Sequence, residues 1–473
     1  MKNKLLAYFT VLLFGLAISY YIINARFDST TVGMLIFFLI FIPTLLRPEI
    51  GLVVIIISML FSPEIIVGQT FRRAITLRIE DVFLFVIILA WFIRTAFTKD
   101  VADVFRTKLS VPFFLYIGIC VASSVFAAVT KEELDIKNSF LSILKYLEYF
   151  LLFLMAKENI GSMRQAKVYL AVFFITAFLV GVHSNIFVSQ QQQAGTEFFR
   201  AAAPMEGETS EPGTLGGYFI FLMAISSGVL IYSKSNAVRG FLILLLLTMY
   251  RGFLYSLSRG SYLAFVPMVL ALVHFSKKSK VFLLWIVFTV SVLMMLFIPQ
   301  MVRDRVIGTI EIVPEERGYR IVWEESPQSR ISSWELVLFD ILPRGPFMGH
   351  GVGSVFIDSQ FFTTLTETGL IGFTLFVSVL IRLFKMVKEV SNMALVQRDD
   401  FSMGITVGFL AGYIGLLFHS IGSNTFIIIR IMEPFWFMAA LVVALPQLLV
   451  REKIQQHEVI TEKTGLSLQI KRM

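Results

Sequence analysis

The sequence predicts an all-α membrane protein, a polytopic bundle of about 12 to 14 transmembrane helices with one large extracytoplasmic loop that contains short helices. Hydrophobic residues make up 56% of the chain and charged residues 16%. In soluble domains, roughly half of the residues are apolar and roughly a quarter are charged. Apolar runs of about 17–25 residues, long enough to cross the hydrocarbon of a bilayer, recur along the whole length. One long polar segment, 299–364, interrupts them. We therefore expect no separate soluble domain of ordinary size.

About fourteen apolar segments account for the predicted helices. The first follows Met1-Lys2-Asn3-Lys4 and has no small-residue cleavage site after it, so we interpret it as an uncleaved first helix. The approximate spans are 4–24, 31–46, 50–67, 81–98, 111–129, 139–156, 166–188, 213–232, 238–256, 260–276, 280–298, 364–387, 402–423 and 428–449. Residues 1–298 thus hold transmembrane helices 1–11, 299–364 the loop, 365–450 the C-terminal helices and 451–473 a cytoplasmic tail.

The distribution of lysine and arginine predicts the orientation, because cytoplasmic loops are enriched in both. With both termini in the cytoplasm, the inner loops hold basic groups such as Lys99, Lys157, Lys277 and Lys385. The loop at 299–364 then lies outside, in a multi-pass protein of the inner or plasma membrane. This bias also accounts for the net charge of +8, so the charge does not indicate a nucleic-acid partner.

Several kinds of chemistry are disfavoured. The single cysteine, Cys120, excludes an intramolecular disulfide and a cysteine metal cluster. No pair of the five histidines has metal-ligand spacing, and each is better interpreted as structural. Because the chain has no Walker A motif, we do not expect ATP hydrolysis, and no outer loop has the paired aspartates of a sugar-nucleotide metal site.

Arginines break the charge bias on the predicted outer side, where lysine is nearly absent. Arginine holds phosphate or carboxylate oxygens in a planar, bidentate grip, so the set predicts an anionic ligand on the outer face. The alternative for any one arginine is snorkelling at the interface, or pairing with Glu64, Glu80 or Asp81. The arginines concerned are Arg72, Arg73, Arg78, Arg200, Arg251, Arg259, Arg330 and Arg430.

Two short segments could carry chemistry near the membrane surface. Arg200 precedes an acidic loop, and Glu211-Pro212-Gly213 opens the next predicted helix. Glu211 is either a functional carboxylate beside Arg200 or a favourable first-turn acid. Arg259 lies in Ser258-Arg259-Gly260, where two apolar runs meet with almost no loop between them. An ionisable residue so placed is costly unless it is paired, which makes a functional role the default hypothesis.

The long loop offers the remaining candidates. Ser329–Leu342 is predicted to be a short amphipathic helix, because Ile331, Trp334, Leu338 and Leu342 recur at helical spacing and would pack against the membrane domain. Arg330 lies on another face of it. A glycine-rich turn, 345–353, follows and leads to Asp358-Ser359-Gln360 and then to a helix that opens with Glu367-Thr368-Gly369. Asp358 and Glu367 are candidate bases or ligands of a substrate hydroxyl.

These pieces, in this order, resemble the O-antigen polymerase and O-antigen ligase superfamily, whose members are multi-spanning glycosyltransferases acting on undecaprenyl-diphosphate glycans. The resemblance extends from about Arg200 to Gly372 and rests on a set of motifs, to which the first 190 residues add Leu77–Asp81. The motifs are Arg200 before the Pro212-Gly213 helix start, Ser258-Arg259-Gly260, Arg330 and Trp334, Pro346-Phe347-Met348-Gly349-His350-Gly351-Val352-Gly353, and Glu367-Thr368-Gly369-Leu370-Ile371-Gly372.

The resemblance implies direct, inverting transfer of a glycan from a polyprenyl diphosphate, with no metal and no other cofactor. It places Arg200, Arg259 and Arg330 on the diphosphate and Asp358 or Glu211 on the acceptor. Arg72, Arg78, Trp334, Gln360 and Glu367 are the further substrate-binding candidates. The implied partners are the lipid-linked oligosaccharide donor, a glycan acceptor, the bilayer, and chain-length regulator and flippase proteins.

One departure favours a polymerase. Ligases of this family carry a histidine-asparagine pair between the glycine-rich turn and the helix that follows, whereas this chain has Asp358-Ser359-Gln360. A ligase-like enzyme with another acceptor remains the first alternative. A flippase of lipid-linked oligosaccharides is the second, although no internal repeat is visible. An assembly scaffold without catalysis is the third.

Overall fold

The computed structural model describes residues 29–62, 64–69, 74–98, 101–130, 134–204, 212–278, 280–281, 284, 298–308, 310–315, 318–323, 325–355 and 357–464. Within these ranges the backbone alone is described for 29–36, 64–69, 74–79, 212, 310–315, 318–323, 325–326 and 456–464. The predicted first span, 4–24, and most of the eleventh, 280–298, lie outside the described residues.

Fifteen α-helices run through the described ranges. In chain order they are α1 (Ser29–Leu46), α2 (Pro48–Phe61), α3 (Ile79–Thr98), α4 (Val101–Val104), α5 (Ser110–Val129), α6 (Ile136–Asn159), α7 (Met163–Gln193), α8 (Pro212–Tyr232), α9 (Asn236–Tyr255), α10 (Arg259–Phe275), α11 (Gln300–Ile307), α12 (Glu325–Leu336), α13 (Gln360–Gln397), α14 (Asp400–His419) and α15 (Ile429–Thr464). Two antiparallel hairpins accompany them, β1 (Glu64–Gln69) with β2 (Ala74–Arg78), and β3 (Ile310–Glu315) with β4 (Gly318–Trp323).

The predicted fold class is confirmed. Among the described residues, eight helices are long and apolar enough to cross a bilayer, and α1, α2 and α10 add three shorter apolar helices. Helices suit this setting because lipid offers no hydrogen bonds, so each span must satisfy its own backbone groups. The chain is therefore a polytopic helical bundle and a multi-pass membrane protein.

Helices α8 and α14 form the centre of the bundle. In their membrane-length apolar segments, 83% and 78% of the residues are buried. Small residues set their close approach. A Cβ on Gly228 of α8 would lie 2.4 Å from the carbonyl oxygen of Gly404, and one on Gly408 of α14 would lie 2.6 Å from Ile225 Cα. Glycine at such contacts lets two backbones pack directly, which is a common way for helices to associate in membranes.

Both hairpins differ from the sequence prediction, which placed only short helices in the long loop. Strand β3 pairs with β4 from Ile310↔Trp323 to Glu315↔Gly318. Strand β1 begins inside the predicted 50–67 span and pairs with β2, with Glu64 opposite Arg78. These strands are only five or six residues long, too short for an apolar run to distinguish strand from helix.

The amphipathic helix of the loop is displaced from its predicted bounds, Ser329–Leu342. Helix α12 ends at Leu336 and continues as one π-helical turn, Val337–Ile341, and a short 3-10 turn. The wider π turn shifts the residues after it around the helix axis, which breaks the predicted apolar stripe. Val337 is fully buried, whereas Ile331 and Leu338, which were predicted to pack against the membrane domain, are 38% and 44% exposed.

The two long C-terminal helices also differ in their bounds. Helix α13 begins at Gln360 rather than near Thr364, and α15 continues to Thr464, past the predicted start of the tail at 451. Inside α13, Gly369 has a φ of +64°, which interrupts the helix about two and a half turns after its start. This interruption is where the glycine-rich turn contacts α13.

Candidate active site

The glycine-rich turn is anchored to α13 by direct backbone contact. Gly349 has a φ of +71°, and a Cβ there would lie 2.5 Å from the carbonyl carbon of Glu367. At Gly369 a Cβ would lie 2.4 Å from the carbonyl carbon of Phe347. Neither position tolerates a side chain, because positive φ and backbone crowding act together. The turn therefore has one fixed position against the helix.

Glu367 holds the same turn from inside the bundle. Its side chain is 3% exposed, and its Oε1 accepts a hydrogen bond of 2.7 Å from the Gly353 N–H. The Gly351 N–H donates to Ser123 Oγ of α5 at 3.0 Å, which ties the turn to a second helix. Glu367, predicted as a substrate ligand or base, thus lies in the interior as an acceptor for the turn.

The junction between α9 and α10 presents Arg259. Leu257 has a φ of +50°, unusual for a residue with a branched side chain, and reverses the chain between the two helices. Ser258 caps α10 by accepting from the Ser261 N–H at 3.3 Å. Arg259 is the first residue of α10, and its Nε donates to the Arg305 carbonyl oxygen at 3.2 Å. The tight junction that the sequence predicted is present, and it links α10 to α11.

Four arginines from separate parts of the chain converge here, and we call them the arginine cluster: Arg200, Arg259, Arg305 and Arg330. Arg259 is repelled by the charges of the other three. Burial and then the charges of Arg200 and Arg330 lower the pKa of Arg305 below its ordinary value. Like charges held together in a partly buried place are unfavourable unless an anion joins them.

Two atoms of the arginine cluster point to such an anion. Nε of Arg200 and Nε of Arg330 are buried and have no hydrogen-bond partner among the described residues. The guanidinium of Arg200 lies 5.3 Å from the ring centre of Phe198, which leaves its edge for hydrogen bonding. A buried donor without an acceptor costs about 1–3 kcal/mol. A bound phosphate or carboxylate would remove that cost.

A cavity of about 500 Å³ opens beside Arg259 and Arg305. Its walls combine these two arginines with two acidic residues and apolar surface. The lining residues are Glu197, Phe198, Arg259, Gln300, Met301, Asp304, Arg305 and Gly308. The volume lies within the roughly 300–1,000 Å³ typical of small-molecule sites. The cavity is therefore large enough for a diphosphate and a part of the groups attached to it.

Asp358 lies beside Arg330, a member of the arginine cluster. Its Oδ2 lies 3.4 Å from Nη2 of Arg330, and its side chain is 45% exposed. The residue at the N-cap position of α13 is Ser359, so Asp358 lies one residue before the cap. An exposed carboxylate beside a cluster of cations can accept a proton or a substrate hydroxyl.

Two other predicted ligands have structural contacts. Gln360 is fully buried, and its Oε1 accepts from the Phe426 N–H at 3.0 Å. Trp334 stacks on Phe362 with ring centres 5.3 Å apart and planes 9° from parallel. Both residues therefore fix the segment that carries Asp358, one at the start of α13 and one through α12.

The structure describes little of the remaining predicted site residues. Glu211 and Arg72 lie outside the described residues. Arg78 ends strand β2, opposite Glu64, and only its backbone is described. The roles assigned to these three residues remain predictions.

Two residues near the site were not predicted to belong to it. Arg305 was visible in the sequence only as part of the charged run Arg303-Asp304-Arg305, where a solvated face is the ordinary interpretation. His419 is fully buried; its Nδ1 lies 2.8 Å from Thr425 Oγ1, and its Nε2 lies 3.2 Å from Ser261 Oγ. Ser261 is two residues from Arg259, so His419 supports the junction that presents this arginine.

No protein-family model matches the chain, and no curated protein matches it in sequence. The chemical interpretation of the site therefore depends on its own geometry, an arginine cluster with the exposed carboxylate of Asp358 next to Arg330.

Proposed function

We propose that this chain is a membrane glycosyltransferase that polymerises a cell-envelope polysaccharide, such as an O-antigen, an exopolysaccharide or a capsule. In this proposal it transfers glycan from undecaprenyl diphosphate to a sugar hydroxyl of an acceptor glycan. The single observation that carries the proposal is the convergence of Arg200, Arg259, Arg305 and Arg330 beside the exposed carboxylate of Asp358.

A diphosphate suits the arginine cluster better than a carboxylate does. It offers several oxygens and more than one negative charge, which matches four converging guanidinium groups. Arginine donates from a planar fork and is more weakly hydrated than lysine, so it binds phosphate oxygens well in a partly buried place. The buried Nε atoms of Arg200 and Arg330 supply donors that such oxygens would accept.

The proposed step forms one bond and breaks one bond. The acceptor hydroxyl oxygen attacks the anomeric carbon, and the bond from that carbon to the diphosphate oxygen breaks with its electron pair on the diphosphate. The hydroxyl proton passes to the carboxylate of Asp358, with inversion at the anomeric carbon. Fixed arginines aimed at the departing charge stabilise the transition state, each by roughly 3–4 kcal/mol by analogy with oxyanion-hole donors.

The polymerase is favoured over a ligase by Asp358-Ser359-Gln360, which stands where the resembling ligases carry histidine and asparagine. Arg259 and Arg305 at helix termini also favour surface chemistry on the outer face, as the lysine distribution predicts. A ligase-like transferase that moves the glycan to a lipid or protein acceptor is the alternative within the same chemistry.

A flippase of lipid-linked oligosaccharides is the second candidate function. It is favoured by charged residues inside the bundle, where Asp81, Glu148 and Glu433 lie close together on α3, α6 and α15. In transporters, buried charged groups of this kind line the pathway of the substrate or the coupled ion. Loss of a flippase and loss of a polymerase would cause different lipid-linked glycans to accumulate.

The lipid-linked glycan that accumulates when the protein is absent separates these functions. A polymerase predicts single repeat units exposed on the outer face, a ligase predicts full-length chains there, and a flippase predicts single units retained inside. Complementation with the wild-type gene should remove the accumulated species. The Arg259→Ala variant should fail to do so, whereas Arg344→Ala, which changes an exposed arginine of the long loop, should succeed.

A further inference from the structure

Three carboxylates from distant parts of the chain meet inside the bundle, and we call them the carboxylate cluster: Asp81 of α3, Glu148 of α6 and Glu433 of α15. One oxygen of each lies within 4.8 Å of the others. Two oxygens on opposite sides of a Ca²⁺ ion, each bound at about 2.3–2.6 Å, are roughly 5 Å apart. The spacing therefore allows one cation to contact all three residues.

Glu433 points to a ligand independently of this spacing. Its side chain is fully buried, and neither of its oxygens has a hydrogen-bond partner among the described residues. The charged groups acting on it are the carboxylates of Glu80, Glu148 and Asp81 and the ammonium of Lys145. A buried carboxylate surrounded mainly by carboxylates is costly, because neither water nor a donor compensates its charge.

Lys145 provides only part of that compensation. Its Nζ contacts Asp81 Oδ1 and lies 2.9 Å from Glu148 Oε2. The other oxygen of Glu148, Oε1, is buried and has no hydrogen-bond partner among the described residues. Glu148 and Glu433, two members of the carboxylate cluster, thus each have at least one unbonded oxygen.

We infer that the carboxylate cluster binds one hard divalent cation, Ca²⁺ or Mg²⁺, between α3, α6 and α15. All the ligands are carboxylate oxygens. Hard cations such as these prefer oxygen ligands, whereas softer metals prefer nitrogen or sulfur. The ion would join three helices that are far apart in sequence and would serve the architecture of the bundle. This site is distinct from the arginine cluster and does not depend on the proposed glycosyl transfer.

The test uses the purified full-length protein, stripped with a chelator. Equilibrium dialysis with radioactive Ca²⁺ should give one ion per chain. The unfolding temperature should rise by roughly 3 °C or more in CaCl₂ or MgCl₂ at equal ionic strength. Glu433→Gln and Glu148→Gln should each weaken binding at least roughly tenfold, since affinity follows ligand charge. The matched control is Glu389→Gln, which removes an exposed carboxylate paired with Lys108 and should bind like the wild type.

A second signature separates a cation site from carboxyl groups that are simply protonated. Glu433→Gln removes a repelled charge, so without metal it should be at least as stable as the wild type. Its unfolding temperature should nevertheless rise less in Ca²⁺ than that of the wild type. If Glu433→Gln does not fold, Glu148→Gln carries the comparison. The inference is overturned if the wild type binds neither ion at millimolar concentration, if only Na⁺ binds, or if both variants bind undiminished.

Discussion

Arg330 Nη2 lies 3.4 Å from Asp358 Oδ2, and 28 positions of sequence separate the two residues. This contact joins the helix of the long loop to the residue just before α13. It places the exposed carboxylate of Asp358 next to a member of the arginine cluster. The group proposed to receive the acceptor proton and a group proposed to hold the leaving diphosphate are therefore neighbours.

Asp358→Asn should slow transfer while leaving donor binding nearly unchanged. Asparagine keeps the size and can still accept a hydrogen bond from Arg330, but it cannot take a proton. A general base contributes about 10²- to 10⁴-fold, so a rate loss in that range is expected. The measurement is the transfer rate at saturating lipid-linked donor, with donor binding measured separately.

The alternative role for Asp358 is a helix cap, which asparagine would perform equally well. The N-cap position of α13 belongs to Ser359, whose side chain makes no capping hydrogen bond. A wild-type rate for Asp358→Asn would support a structural role for Asp358 and leave Glu211 as the base candidate, since Glu367 lies buried against the glycine-rich turn.

Arg259→Lys should impair activity strongly although the charge is kept. A point-charge ammonium cannot reproduce the planar fork, and it cannot donate from an Nε to the Arg305 carbonyl. Arg259→Ala should be at least as defective, with a loss of about 10²- to 10³-fold at normal protein level. Polymer length in complemented cells provides the readout. Near-normal polymer from the alanine variant would remove Arg259 from the site.

Gly369→Ala should destabilise the protein. Its φ of +64° is costly for any residue with a Cβ, by about 1–2 kcal/mol, and the added carbon would overlap the Phe347 backbone. Gly118→Ala is the matched control, because a Cβ at that helical position meets nothing within 4 Å. Thermal unfolding of the two purified variants checks the difference. Equal unfolding temperatures would mean that the contact between the glycine-rich turn and α13 is not required.

The orientation can be tested with single cysteines at Ser279 and Ser326 after Cys120 is replaced. Lysine enrichment near 277–280 predicts that this loop is cytoplasmic, and the loop at 299–364 is predicted to lie outside. An impermeant reagent should therefore label Ser326→Cys in intact cells, and Ser279→Cys only after permeabilisation. The reverse pattern would overturn the orientation and with it the outer position of the site.

Much of the fold was predictable because the length of an apolar run indicates whether the helix that it forms can cross a bilayer. The spans predicted at 213–232 and 260–276 are observed as Pro212–Tyr232 and Arg259–Phe275. The hairpins and the π turn after Leu336 were not predictable, because short strands give a weak pattern and a π turn has no sequence signature of its own. The β3–β4 hairpin and the π turn lie in the long loop, whereas the β1–β2 hairpin follows α2.

The candidate site was predictable only in part. Arg200, Arg259 and Arg330 stood out because arginine is costly at a membrane surface without a partner. Arg305 did not, since a charged run in a loop usually faces solvent. The carboxylate cluster was also missed, because Asp81, Glu148 and Glu433 are separated by long stretches of sequence and only the packing of three helices brings them together.

The most direct test of the proposed function is transfer by the purified protein in liposomes supplied with lipid-linked repeat units as both donor and acceptor. The wild type and Arg344→Ala should convert single units into longer chains. Each new glycosidic bond should be accompanied by the release of polyprenyl diphosphate. Arg259→Ala and Arg305→Ala should be slower by about 10²- to 10³-fold. A wild-type protein that forms no longer chains, or arginine-cluster variants that work at the wild-type rate, would contradict the proposal.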